Sequence, residues 1–312
     1  MEYPSIQKFI DKMNEDNYSD ATIKTYRFAL LRIQKLIKKD FTKIDFDKDF
    51  NAVITSVKSI GNNNSEKLAI IALIKYFKLM DKIPKRLDDY VAKHGEYKQS
   101  ITAVEIQNNF KDKEVDTWVE WTEMKKKFVE YVNDKNITKR PKDIFILGCL
   151  LLLDAPTRIG NYQNLRILKI NPAQGYGKLD ELDLERNTLV VIETDKKVNY
   201  QFVFGDYKTA KTLGAVVADV KDPLLKEIIT MTLMDGKDGD VMFAFTNVYI
   251  TQILRNATGK IYGKSFSVDL IRHSFITWFL AQQTTTAKKI ETLKLFGQKY
   301  NPNQADLYQR VK

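Results

Sequence analysis

The stretch SFSVDLIRHSFITWFL, Ser265 to Leu280, decides how this chain is read. It has the make-up of an apolar helix, in which Leu270, Ile271, Phe275, Ile276, Trp278 and Phe279 surround a single arginine, Arg272. A guanidinium in that setting is costly unless it is paired or bound to an anion. Taken alone, such an arginine reads as a structural cation held by a carboxylate. The segment that follows, FGQKYNPNQADLYQRVK, carries two tyrosines, Tyr300 and Tyr308.

Moving outward, VMFAFTNVYITQILRNATGKIYG and DPLLKEIITMTLM read as further helices. Before them, TLVVIETD, NYQFVFGDY and TLGAVVADV are rich in Val, Ile, Phe and Tyr with partial alternation, and read as three strands of a small antiparallel sheet. The turn Tyr207 to Lys211 places Lys208 at or beside a hairpin tip, where a lysine is ordinarily solubilising decoration. The acidic run KLDELDLE, Lys178 to Glu185, reads as a solvated connector rather than a set of metal ligands. Upstream again, IFILGCLLLL, Ile144 to Leu153, is too short to span a bilayer and reads as a core helix. It ends in DAPTRIGNYQNLRILKI, where a turn after Pro156 presents Arg158 at the edge of the core. In WVEWTEMKKKFVEYVND, Trp118, Trp121, Met124, Phe128 and Tyr131 can share one helix face.

Residues 1–112 read as all-helical. YSDATIKTYRFALLRIQKLIKKDF offers Ser19 and Asp20 as N-caps and places Ile23, Tyr26, Leu30, Ile33 and Ile37 at helical spacing. Its opposite face carries Lys24, Arg27, Lys35 and Lys38, which suits a solvated surface and equally a phosphate backbone. After the polar turn GNNNS comes SEKLAIIALIKYFKLMDKI, dense enough in Leu and Ile for the middle of a small bundle. The apolar pattern thins toward a linker near 96–115, which divides the chain into 1–112 and 113–312.

Composition bounds the partners. The 312 residues include 50 Lys+Arg against 40 Asp+Glu, a formal charge of +10, with 44% hydrophobic residues. The chain is therefore globular, and its cationic surplus favours an anionic partner through released counterions. One cysteine, Cys149, can form no internal disulfide, and its apolar surroundings suit a buried inert thiol and a reducing setting. Two histidines, His94 and His273, with that cysteine do not make up a zinc site of usual composition. No N-terminal stretch has the order of a signal peptide.

The order of Arg158 after a core helix, Lys208 in a β-turn, Arg272 in a buried helix and Tyr308 in the tail resembles the tyrosine recombinases, or phage-type integrases. TRIGNYQNL, YKTAKTLG and DLIRHSFIT carry the resemblance, which extends over nearly the whole chain. It implies a helical core-binding, DNA-clamping domain followed by an α+β catalytic domain. By the same resemblance Arg158 and Arg272 match the two family arginines, Lys208 the β-hairpin lysine and Tyr308 the nucleophile. Asp269 stands where the family usually has histidine, Gln298 where it has histidine or tryptophan, and Asn161 where an acidic residue is common. His273 matches a histidine frequent after the second arginine, outside the main acid and base roles.

The activity so implied is strand cutting and rejoining through a 3′-phosphotyrosyl link, without metal, ATP or other cofactor, on double-stranded DNA in a mobile-element or viral setting. Lys211 joins His273 and the basic N-terminal helix as implied DNA contacts. Other copies of the chain are the implied protein partners, although only Gln309 to Lys312 follow Tyr308, leaving little for a separate exchanged helix. Tyr300 is the rival nucleophile. A type IB topoisomerase and a DNA-binding protein that has lost catalysis stay open as alternatives.

Overall fold

The computed structural model describes residues 4–106, 116–134, 141–171, 182–195, 197–233, 236–244 and 246–297. The chain divides into two compact units, Met1–Gln107 and Asn108–Lys312. The described residues are mostly helical, with one small four-stranded sheet.

The first unit contains α1 (Pro4–Glu15), α2 (Asp20–Ile37), α3 (Phe50–Lys58), α4 (Asn63–Leu79) and α5 (Leu87–Ile106). Ser19 caps α2 by accepting from the Thr22 amide, while Asp20 occupies the first turn, where a carboxylate complements the helix dipole. Ile23, Leu30 and Ile33 are buried, meeting Ile6, Phe9, Ile70, Leu73 and Phe77 in one core. The apolar face thus fixes α2, and its basic face turns outward. α5 corrects the sequence expectation: 96–106, expected as linker, is helix. The pattern misleads because α5 packs on α4 through spaced residues such as the buried Tyr90 rather than through a continuous apolar stripe.

The second unit is built on α7 (Pro141–Leu152), in which every residue from Ile144 to Leu152 is buried. A helix apolar all round must be covered all round. Its neighbours are α6 (Trp121–Asp134), α9 (Pro223–Thr232) and α10 (Asn247–Tyr262). Cys149 lies fully buried there, and burial pushes its thiol pKa well up. α11 (Val268–Ala281) and α12 (Thr286–Leu295) complete the long helices, and α8 (Ala210–Leu213) is a single turn. Among the described residues no helix is long and apolar enough to cross a membrane.

The sheet runs β1 (Arg166–Ile170), β2 (Asn187–Thr194), β3 (Lys197–Phe204), β4 (Val216–Asp219), in that spatial order. Leu189, Val191, Phe202 and Phe204 face the main core, while Val190 and Val203 pack on the other face. β2, β3 and β4 pair antiparallel, but β1 lies parallel to β2. The sheet is therefore mixed and not antiparallel as expected. β1 eludes the sequence because it is short and its burial alternates imperfectly. The helix expected from Val241 starts only at Asn247, capped by Thr246, and Val241 instead bridges to Arg166.

Candidate active site

Two connections of the second unit and the start of α11 meet around one open cavity of about 490 Å³, lined by Arg158, Asn161, Asp206, Lys208, Asp269 and Arg272 among others. Each side chain arrives for a local reason.

Arg272 comes from α11. Ser267 caps this helix by accepting from the Leu270 amide at 3.2 Å, which places Asp269 in the first turn and exposed. Arg272 follows three residues later on the same face, 5% exposed. Its Nη1 donates to the Pro156 carbonyl and its Nη2 to the Phe296 carbonyl, each at 2.8 Å. The guanidinium also lies over the Phe296 ring, 3.6 Å from its centroid. Two carbonyls and a ring face are thus part of what holds it.

Arg158 follows Thr157 in extended backbone, immediately before the 3-10 turn Ile159–Tyr162. Thr157 donates to the buried Tyr162 hydroxyl at 2.8 Å, and the neighbouring Pro156 carbonyl is engaged by Arg272, so the segment is held from both sides. Burial pushes the Tyr162 hydroxyl pKa well up. Arg158 itself is half-buried, and its Nε is sealed from solvent with no hydrogen-bond partner among the described residues. A buried donor of a charged group left so carries a desolvation cost of about 1–3 kcal/mol or more.

Lys208 is exposed, in the connection from β3 to β4. This connection is not a tight hairpin tip as expected: it contains α8. Its root is fixed by Asn187, whose side chain donates to the Asp206 carbonyl at 2.8 Å and accepts from the Asp206 amide at 3.0 Å. Further on, Tyr207 donates to the Gly214 carbonyl at 2.7 Å, and Thr209 donates to the Gly297 carbonyl at 2.9 Å. Burial raises the Tyr207 pKa.

The cavity therefore carries Arg158, Lys208 and Arg272 against Asp206 and Asp269, three formal positive charges and two negative, a net of one positive. Asn161 is 5% exposed on the same wall. Asp206 is the residue that sequence reasoning missed. The signal was its place two residues before Lys208 in GDYK. Lys211, exposed in α8, and His273, half-buried in α11, are not among the lining residues. Gln298, Tyr300 and Tyr308 lie outside the described residues, although Gly297, which precedes Gln298, is at the site: a Cβ there would lie 3.9 Å from Arg158 Nε.

In the first unit, Lys24 and Arg27 line a separate cleft of about 370 Å³ with Gln7, Ile10, Asn14, Asp20 and Ile23. Lys35 and Lys38 are exposed, Lys38 closing α2 in the left-handed conformation. Phe28, 57% exposed, stands among them and has no counterpart in the sequence reading of that face.

No protein family's sequence profile matches the chain, and no curated protein matches it. Among solved structures, the chain is similar to the crystal structure of XerA recombinase, with a TM-score of 0.39 and 16% identity over 99% of this chain and 94% of that one.

Proposed function

We propose that this protein is a site-specific DNA recombinase that cuts and rejoins strands through a 3′-phosphotyrosyl intermediate, with Tyr308 as nucleophile. The observation that carries the reading is the convergence of two arginines and a lysine on one open cavity, with an Arg158 Nε that lacks a partner among the described residues. Net charge supports it: a cavity carrying one formal positive charge suits a phosphodiester, which carries one negative charge.

In this reading the Tyr308 phenolic oxygen attacks phosphorus, the bond from phosphorus to the 5′ oxygen breaks, and the 3′ phosphate stays on the tyrosine. Arg158 and Arg272 hold the non-bridging oxygens, on which charge accumulates in the transition state. Each well-placed donor in a water-poor site is worth about 3 kcal/mol. Lys208 gives its proton to the departing 5′ oxygen. Asp269, exposed at the start of α11, takes the phenolic proton, and Gln298 donates a hydrogen bond to phosphate without shuttling a proton. A free 5′-hydroxyl attacking the phosphotyrosine reverses each transfer, so rejoining needs no external energy. The basic face of α2, Lys24, Arg27, Lys35 and Lys38, supplies phosphate contacts that position the duplex.

The test is a nicked suicide duplex, from which the short cleaved strand diffuses away and leaves protein covalently on DNA. A recombinase yields the adduct and, on paired intact sites, exchanged strands. An adduct with supercoil relaxation and no exchange means a type IB topoisomerase, and binding with no adduct means a DNA-binding protein without catalysis.

A further inference from the structure

Thr209 sits at the N-cap position of α8, where a threonine side chain ordinarily accepts from the helix's own amides. Here its hydroxyl makes no such bond. It donates instead to the carbonyl of Gly297, 88 residues further along the chain, at 2.9 Å. Gly297 follows α12 with φ of +79°, a left-handed conformation in which a residue with a Cβ would be strained. A Cβ there would approach Arg158 Nε and Tyr207 Cδ2 at 3.9 Å and Thr209 Oγ1 at 4.0 Å, so the Arg158 segment and the Lys208 turn meet at this glycine. The preceding residue, Phe296, is the one that Arg272 grips through its carbonyl and ring.

The lysine turn is therefore tied at two levels. Asn187 holds its root against β2, and Thr209 holds its far side against the end of α12. Lys208 lies between these ties, exposed on the cavity.

We infer that Thr209 is a positioning residue: its hydroxyl, by fastening the Lys208 turn to Gly297, fixes where the lysine ammonium stands at the scissile phosphate. The inference rests on the reading of Lys208 as the proton donor to the 5′ oxygen. It also couples that donor to the point where the chain enters the segment bearing Tyr308, so a shift of Gly297 shifts the donor with it.

The experiment compares the full chain with Thr209→Val, Thr209→Ser and Lys208→Ala on two suicide duplexes, one with the ordinary 5′ oxygen and one with a 5′-bridging sulfur. Sulfur leaves without protonation, so it bypasses a misplaced or missing acid. Valine is isosteric with threonine and keeps the packing of the turn. Thr209→Val is expected to form adduct about tenfold more slowly than wild type on oxygen, the loss that one net hydrogen bond corresponds to, and within about threefold of wild type on sulfur. Thr209→Ser, which keeps the hydroxyl, restores most of the oxygen rate. Equal slowing of Thr209→Val on both substrates, including through loss of the fold, overturns the inference. If Lys208→Ala is rescued by sulfur and Thr209→Val is not, the inference alone falls. If Lys208→Ala is slow on both, the proton-donor reading fails and takes the inference with it.

Discussion

Replacing each arginine by methionine separates the two guanidiniums, because the fold treats them differently. Arg272 bonds to two carbonyls and lies on a ring, so Arg272→Met leaves the Pro156 and Phe296 carbonyls short of a donor inside the protein. Each buried carbonyl so orphaned costs about 1–3 kcal/mol, and removing the cation from the ring face costs roughly 0.5–2. Relief from burying a guanidinium offsets part of this, but only part, since Arg272 borders an open cavity and is incompletely desolvated. A net loss of about 2–4 kcal/mol follows. Arg158 is the reverse case: its Nε has no partner among the described residues, and methionine removes that buried donor while keeping much of the packing of the stem. Arg158→Met is expected to stay within about 1 kcal/mol of wild type in stability, or above it, whereas Arg272→Met melts roughly 4–16 °C lower for a unit of this size. Both are expected to lose ~10² or more in the rate of covalent adduct formation, the worth of one transition-state donor. Thermal melting beside single-turnover cleavage reads both quantities. Arg158→Met that destabilises as much as Arg272→Met while cleaving at the wild-type rate would refute the reasoning, since Arg158 would then be the structural cation.

Three further outcomes follow. Binding to a duplex of about 30 bp is expected to fall ~10³ or more between roughly 50 and 200 mM salt, and Lys24→Ala with Lys35→Ala to flatten that slope by about one for each phosphate no longer neutralised; a binding isotherm indifferent to salt contradicts the basic-face assignment. Burial first, and the nearby Asp40 charge second, push the Tyr76 pKa up to about 12. The unfolded chain loses this proton near pH 10 and the folded chain only near 12, so the contribution is complete below pH 10 and lost as pH rises through 12, by about 2–3 kcal/mol, and melting of Tyr76→Phe between pH 9 and 12 should lack that component. Sedimentation is expected to give a monomer for the free chain and larger complexes on a symmetric duplex, because bound DNA supplies effective concentration to a small interface; a stable tetramer without DNA would count against this.

The fold was legible where a local signal existed. Ser19 before the Ile23, Leu30, Ile33 pattern locates α2, and the continuous apolar run around Cys149 locates the helix that the second unit covers on all sides. Signals failed where pairing partners are distant. RILKI carries too few alternating residues to announce β1, and nothing near it reveals that its partner lies parallel across the 171–186 connection. α5 hid for the opposite reason, a helix whose contacts are spaced too widely to form a stripe. At the site, residue types could be picked out one by one, Arg158 by its place after Pro156 and Arg272 by its apolar neighbours. Their supports could not: the Asn187 brace on Asp206 and the Thr209 bond to Gly297 join segments that share no sequence pattern.

The central claim is a covalent bond between DNA and Tyr308, and mapping the trapped adduct tests it most directly. Trypsin alone leaves Tyr300 and Tyr308 together, since cleavage after Lys299 and Arg310 releases YNPNQADLYQR as one peptide. A second cut on the amino side of Asp306 divides it into YNPNQA and DLYQR. After nuclease trimming, the account predicts a phosphonucleotide mass on DLYQR, none on YNPNQA, and no adduct at all from Tyr308→Phe. The modification on YNPNQA, or an undiminished adduct from Tyr308→Phe, would contradict it.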